Sequence, residues 1–455
     1  MTTGSDTRWQ HLAEFVAREM ERNDIPGVAA GVLHDGQVDA AGWGVTSVEH
    51  PLDVTHDTLF QVGSITKTFT GTLVMRLVEE GKLELDAPVR RYLPGFRVSD
   101  DEASERATLR HLLTHMGGWA GDFFRCTGQG DDALARYVAD MAGLPQVAPV
   151  GTHWSYNNAG FSLAGYLVEK AMGLPFEQAM KDLVLDPLRL DHVYFRPEAV
   201  MTHRFAVGHE PGEEGPQVAR PWQVECSTYP AGGITTHVHD LLRYARFHLG
   251  VDAAPDDGAA IVSRVGLEAM QSPQVTLWGS EQWGLTWAIS QVGGVRQLSH
   301  GGGTKGQVSL LVLVPEREFA MAIFTNSGRG GKLTQAARRF ALREYLEIED
   351  PEPKPIESSP ADLAPYAGHY TGYYTDVDLG MVGKKLVGQI TYKRGFPNEE
   401  TPPPPAPPPI SVGRCEADRL LVLDGMFKDI RGDIVRLPGG EIGWLRISGR
   451  LHRRV

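Results

Sequence analysis

From Arg8 to Met20 the apolar residues Trp9, Leu12, Phe15, Val16 and Met20 recur three or four positions apart, the spacing of one face of an amphipathic helix. Such a face needs a sheet to lie on. The runs Gly27 to Leu33 and Val38 to Trp43 flank Asp35-Gly36, a turn dipeptide between apolar segments that predicts a β-hairpin. Ile65, Phe69, Leu73 and Leu77 then fall four apart and the pattern stops at Gly81, which predicts a buried helix with a glycine at its C-terminus. Leu109 to His115, Asp132 to Met141, Ala159 to Ala171 and Phe176 to Leu183 read as further helical pieces between Gly- and Pro-rich loops. The β-rich runs Gln307 to Val314 and Phe319 to Thr325, joined by a turn over Pro315 to Glu318, are followed by a helical pattern from Leu333 to Leu346.

Helices and strands at both ends of this region enclose an α-rich insertion, an order that predicts one antiparallel sheet built from both chain ends. Asp350 to Pro360 is rich in Pro, Glu and Ser, the composition of an exposed linker. From Tyr366 onward come about eight short candidate strands, among them Gly368 to Thr375, Lys385 to Tyr392, Leu420 to Leu423, Ile434 to Leu437 and Ile442 to Ile447, which suit a small barrel. Thr401 to Pro409 holds seven prolines and interrupts them with an extended polyproline excursion. The expected organisation is a domain over 1–349, a linker over 350–361 and an all-β barrel over 362–455.

The size of the chain, 455 residues, agrees with more than one core, and 42% apolar with 22% charged residues is the balance of a globular protein. A formal net charge of −13 with no dense Lys/Arg block argues against nucleic acid and anionic lipid as partners. Met1 to Gln10 is polar, no apolar run reaches membrane-spanning length, and Cys126, Cys226 and Cys415 form no paired framework. Together these predict a soluble, cytoplasmic protein.

Candidate chemistry begins with Ser64 and Lys67, a Ser-x-x-Lys that occurs once in the chain, where the strand-like Leu59 to Gly63 gives way to the helix. One helical turn apart, the amine can reach the hydroxyl, and a lysine sheltered from water can help to take its proton. So short a pattern also arises by chance, with the serine capping a helix and the lysine solvated; the flanking Phe60, Val62 and Phe69 favour an inward lysine. Tyr156-Asn157-Asn158 is the second element: a tyrosine beside a protonated amine can act as a base, and an asparagine amide can hold a carbonyl, although a loop tyrosine with a capping asparagine has the same look. The third is His300-Gly301-Gly302-Gly303, leading into the closing strand, with glycines that let a backbone amide approach a ligand.

Taken in this order, Ser-x-x-Lys, Tyr-x-Asn and His-x-Gly resemble the three motifs of the penicillin-binding protein and serine β-lactamase superfamily, in the class C β-lactamase-like group that includes DD-carboxypeptidases, D-aminopeptidases and esterases. Leu112-Leu113-Thr114-His115, Pro230-Ala231-Gly232-Gly233 and Trp283 to Trp287 are similar as well, so the resemblance spans roughly residues 8 to 347. It implies an α+β fold, an antiparallel sheet flanked by helices with an all-α subdomain, and it likens the C-terminal piece to an appended lipocalin-like barrel. By the same resemblance Ser64 is the acylated nucleophile, Lys67 its proton-accepting neighbour, Tyr156 the general base and Asn158 a substrate-positioning residue. His300 stands first in the third motif, while Gly302 and Gly303 border the oxyanion site. Many β-lactamases of this group have Lys-Thr-Gly there, so His-Gly-Gly shifts the expectation towards a peptidase, amidase or esterase, with β-lactamase action and a non-catalytic sensor as alternatives. The substrate expected is a small molecule or peptide, and no cofactor is implied.

Two signals were weaker. Gly301-x-Gly303-x-x-Gly306 fits a dinucleotide fingerprint in letters but leads into a strand. His237-Val238-His239-Asp240 lacks the spacing of metallo-β-lactamases, and Asp240 reads as the cap of a helix over Leu241 to Leu249, so no metal is expected.

Overall fold

The computed structural model describes residues 7–251 and 261–455. The chain forms two compact units: one comprises residues up to 87, 127–136 and 161–350, the other 88–126, 137–160 and 351–455.

In the first unit the predicted hairpin is present as β1 (Gly27–His34) and β2 (Gln37–Gly44). Asp35 and Gly36 have φ of 49° and 73°, the left-handed pair that a tight two-residue turn needs to match strand twist. After β3 (Phe60–Gln61) and a short hairpin of β4 (His209–Gly212) and β5 (Gly215–Val218), β6 (Thr235–Thr236) returns to pair with β3. The chain then lays down β7 (Val275–Trp278), β8 (Glu281–Trp283), β9 (Ala288–Val292), β10 (Val295–Thr304), β11 (Gln307–Val314) and β12 (Phe319–Thr325). The large sheet has the order β2-β1-β12-β11-β10-β9-β8-β7, antiparallel throughout, with Val28 opposite Thr325 where the two chain ends meet.

Strands β1, β11 and β12 are buried along nearly their whole length because both faces are covered. Helices Thr7–Arg22 and Gly331–Leu346 pack on one face, where Phe15 and Phe340 stack at 4.3 Å and Leu12, Val16, Val312, Ile323 and Ala337 share a core. Helix Val238–Leu249 covers β1 and β12 with Val238, Leu241, Leu242 and Ala245 buried. The predicted helix over Ile65 to Glu80 runs from Thr66 to Glu79 and ends at Gly81, whose φ of 72° suits the residue after a helix terminus.

The second unit holds a closed eight-stranded barrel: β13 (Gly368–Thr371), β14 (Thr375–Val382), β15 (Lys385–Tyr392), β16 (Ile410–Glu416), β17 (Arg419–Val422), β18 (Arg431–Arg436), β19 (Ile442–Ile447) and β20 (Arg450–Arg454). Closure comes from Tyr370 pairing with Arg454, which leaves no open edge. Tyr370, Leu379, Leu386, Val412, Leu420, Ile434 and Leu445 fill the interior. Residues 401–409 run between β15 and β16 without strand structure, mostly exposed, as the prolines require. The expected run Gly368 to Thr375 covers the whole of β13, the turn after it and the first residue of β14.

Helices Asp101–Arg106 and Leu109–Leu113 belong to this second unit and Phe176–Met180 to the first, so the α-rich stretch is divided between the two. Cys126, Cys226 and Cys415 form no disulfide. Among the described residues no helix is long and apolar enough to cross a membrane.

Candidate active site

In the first unit Ser64 sits on a 3-10 turn, Gly63–Ile65, wedged between the β3–β6 ladder and helix Thr66–Glu79. Gly63 takes φ of 50°, and a Cβ there would meet the backbone nitrogen of Gly303 at 2.6 Å. A Cβ on Gly302 would lie 1.9 Å from the Val62 carbonyl oxygen and 2.4 Å from Ser309 Oγ. These glycines therefore let the β10 backbone lie directly against the Ser64 turn, and Ser309 Oγ donates to the same Val62 carbonyl at 2.8 Å. Gly303 differs: a Cβ on it would find only the Gln307 carbonyl, 4.0 Å away, so space is left beside its amide.

Lys67 lies one turn beyond Ser64 with a fully buried side chain. Its Nζ donates to Ser64 Oγ at 3.0 Å and to the Ala231 carbonyl at 2.6 Å, and it lies 5.4 Å from the centre of the Phe161 ring. The same face of the helix is bolted to residues 230–234: Thr70 Oγ1 donates to the Pro230 carbonyl at 2.7 Å and the Ile234 amide donates to Thr66 Oγ1 at 3.1 Å. The amine thus sits in a fixed position with a hydrogen bond to the hydroxyl, the arrangement a nucleophilic serine needs.

His300 is buried on β10, with the edge of its ring against Trp283 (5.7 Å between centroids). Nδ1 donates to the Gly301 carbonyl at 2.6 Å. Burial, assisted by the neighbouring Lys67 charge, pushes its pKa down to about 3. At neutral pH this position is therefore an uncharged imidazole.

Tyr156 and Asn158 belong to the second unit. The Tyr156 amide donates to the Gly449 carbonyl at 2.8 Å, its ring packs 4.3 Å from His115, and the Arg450 guanidinium lies 4.5 Å from its centre on the other contact. Asn158 Nδ2 donates to Asp122 Oδ1 at 2.7 Å, and Asp122 in turn accepts from Arg450 Nε at 3.0 Å and Nη2 at 3.1 Å. An amide whose NH₂ is held by a carboxylate has its oxygen assigned by that bond. His115 completes the support: its Nδ1 accepts from the Asn157 amide at 2.9 Å and its carbonyl from the Ser155 amide at 3.1 Å. Asn157 rather than Asn158 caps helix Asn158–Met172, its Oδ1 accepting from the Gly160 amide at 2.8 Å.

The fold thus brings Ser64, Lys67, His300, Gly302 and Gly303 together in one unit, and gathers Tyr156 and Asn158 with Asp122, His115 and Arg450 in the other. Sequence reasoning missed Ala231 as an acceptor, and it missed Asp122 and Arg450. The Pro230 to Gly233 and Leu112 to His115 stretches were noticed only as similarities. Arg450, more than 300 residues from Asp122, carries no local signal. Helix Val238–Leu249 corrects one expectation: it starts earlier than Leu241, and its cap is His237, whose Nδ1 accepts from the Asp240 amide at 3.1 Å. Asp240 instead accepts from the His192 amide at 2.7 Å. The glycines 301–306 lie on β10 and the turn into β11, so no helix offers a phosphate site there.

An antiparallel sheet between helices, carrying a serine and a buried lysine one helical turn apart, defines a scaffold for serine-nucleophile hydrolysis. The Beta-lactamase family signature matches residues 12–345, and the chain belongs to this family of serine hydrolases. It is 35% identical over 372 residues to Penicillin-binding protein 4 of Amycolatopsis lactamdurans, covering 80% of this chain and 96% of that one. Over 245 residues it is 29% identical to a β-lactamase of Escherichia coli (strain K12), covering 53% of this chain and 62% of the relative. Among solved structures it resembles SurE, with a TM-score of 0.75 at 24% identity over 98% of this chain and 99% of that one. The octameric penicillin-binding protein homologue from Pyrococcus abyssi matches with a TM-score of 0.66 at 24% identity, over 98% of this chain and 99% of that chain. A class C β-lactamase from Rhodobacter sphaeroides matches at 0.60 and 23% identity, over 74% of this chain and 98% of its own. At such identities the likeness is one of fold. The first two of these structures span the region of the barrel as well.

Proposed function

We propose that the protein is an acyl-enzyme hydrolase of amides, peptides (including those with D-amino acids) or esters, with Ser64 as the nucleophile. The observation that carries this reading is the buried Lys67 amine, 3.0 Å from Ser64 Oγ. Ser64 Oγ attacks the substrate carbonyl carbon, and its proton passes by way of Lys67 to the leaving amine or alcohol; the resemblance of Tyr156-Asn157-Asn158 to the second motif gives Tyr156 the role of general base. Water then attacks the acyl-serine, the acid product leaves and the serine regains its proton. The amides of Ser64 and Gly303, with Gly302 setting the close approach, hold the oxyanion, and the motif resemblance gives Asn158 the role of positioning the substrate carbonyl.

His300 separates the leading reading from its neighbour. A neutral imidazole at the first position of the third motif supplies no positive charge for a ring carboxylate, where a lysine would supply one. This favours peptidase, amidase or esterase action over efficient β-lactamase action. The three cysteines, none of them in a disulfide, fit the reducing cytoplasm that we assign to it.

Mass spectrometry of the intact protein after a fluorophosphonate, and separately after a penicillin, tests the proposal. One adduct at Ser64, absent in Ser64→Ala, is expected, with a long-lived penicillin adduct. Rapid release of penicilloate would move the assignment to β-lactamase. A folded wild-type protein unlabelled by both reagents would overturn the catalytic reading in favour of a binding role. One of the similar structures is SurE with D-Leu, which makes D-amino-acid esters and amides a sensible first substrate panel.

A further inference from the structure

On the first unit two histidine-carboxylate groups lie near each other: His56, Asp57 and His239, and His192, His237 and Asp240. They differ in what their nitrogens are free to do. In the second group His237 Nδ1 already accepts the Asp240 amide proton, which leaves the proton of the neutral ring on Nε2 and no lone pair to offer. Asp240 Oδ2 already accepts from the His192 amide. That group is a helix-capping network.

The first group is arranged otherwise. His56 Nδ1 lies 3.0 Å from His239 Nε2 and 3.0 Å from Asp57 Oδ1, and the three donor atoms fall within 4.8 Å of one another. One ring proton on His56 Nδ1 can serve the carboxylate or the second imidazole well, but shared between them it serves both poorly. Nor do the rings meet head-on. Two imidazoles in line with nitrogens 3.0 Å apart would place their centroids about 5.3 Å apart, whereas lone pairs meeting at a right angle on a point 2.1 Å away give about 4.6 Å. The observed separation is 4.8 Å with the planes 83° apart. Arg243, one turn along the helix from His239, donates to the Arg189 carbonyl at 3.3 Å.

We propose that His56, Asp57 and His239 form a binding site for a divalent transition-metal ion, of which Zn²⁺, Ni²⁺ and Cu²⁺ suit two imidazoles and a carboxylate best. The ion takes all three lone pairs at once, which a single shared proton cannot do. Water completes its coordination, since His56 and Asp57 are exposed. Its effect follows from where the ligands sit. His56 and Asp57 precede β3, and His239 follows β6 on the first turn of helix Val238–Leu249. Phe60 pairs with Thr236 and Gln61 with Thr235. An ion held by both arms therefore staples the two-stranded ladder from which the Ser64 turn emerges, and it stabilises the folded unit without touching the serine.

The test uses the full-length, untagged protein, stripped with a chelator and titrated with Zn²⁺ by calorimetry, with Co²⁺ absorption as a second probe and thermal unfolding in parallel. A single ion per chain and a higher Tm are expected. His56→Ala and His239→Ala should each weaken binding by about tenfold or more and remove the Tm shift. Asp57→Asn keeps the shape of the loop and should also weaken binding, whereas His192→Gln in the neighbouring group should bind as wild type does. Absence of binding at sub-millimolar Zn²⁺, or binding that survives both alanine variants, would overturn the proposal and leave a hydrogen-bonded histidine pair.

Discussion

Replacing Lys67 by methionine separates what this residue does for chemistry from what it does for the fold. Methionine fills nearly the same volume and removes the charge. The hydrogen bonds to Ser64 Oγ and the Ala231 carbonyl are lost, at about 1.5–3 kcal/mol each for a charged donor. Against that, an ammonium ion with no exposed surface no longer has to be desolvated, a penalty of several kcal/mol in itself. The two effects nearly cancel. Tm should therefore stay within roughly 4 °C of wild type, since each kcal/mol moves the midpoint of a chain this large by about 2 °C. Acylation should behave quite differently: with no amine beside the hydroxyl, the rate of adduct formation with a fluorophosphonate should fall by about 10²–10⁴. Rapid-quench mass spectrometry gives that rate and scanning calorimetry the Tm on the same samples. Labelling at the wild-type rate, or a collapse in Tm together with preserved labelling, would refute the reasoning and make Lys67 a structural residue.

Three further outcomes are expected. Gly302→Ala drives a methyl group into the Val62 carbonyl and should destabilise the first unit by about 1–3 kcal/mol in urea titrations, whereas Gly303→Ala, with open space around its Cβ, should leave the denaturation midpoint unchanged. The folded pKa of His300 is pushed below its ordinary 6.5 to about 3, so the unfolded chain binds the extra proton between these values. The stability this contributes is complete above pH 6.5 and is lost towards pH 3 at about 1.4 kcal/mol per pH unit, and His300→Gln should flatten the measured acid slope by that amount. In Asp122→Ala, Arg450 and the Asn158 amide lose their shared acceptor; because Arg450 is 36% exposed, water softens the loss to about 1–3 kcal/mol, read as a lower midpoint in chemical denaturation.

The features legible in the sequence are those whose cause is local. The β1–β2 hairpin follows from Asp35-Gly36, because a pair that tolerates positive φ makes a two-residue turn that matches strand twist, and helix Thr66–Glu79 follows from a four-residue apolar repeat ending at Gly81. The same locality makes Ser64 and Lys67 neighbours, since one helical turn sets their distance wherever the helix goes. Strands β11 and β12 and their connecting turn were readable for the same reason. Even local reading failed where two residues could do one job, as with His237 taking the cap expected of Asp240.

Tertiary structure decided which distant segments meet. An apolar pattern says that β1 must be covered, but not that β12, nearly 300 residues away, is what pairs with it. Ala231 receives the Lys67 amine, Asp122 holds both Asn158 and Arg450, and His56 faces His239 only because packing brings these segments, far apart in the chain, together. Periodicity encodes how much of each element is buried. The choice of partner is a many-body property of the whole core, and no single stretch of the chain contains it.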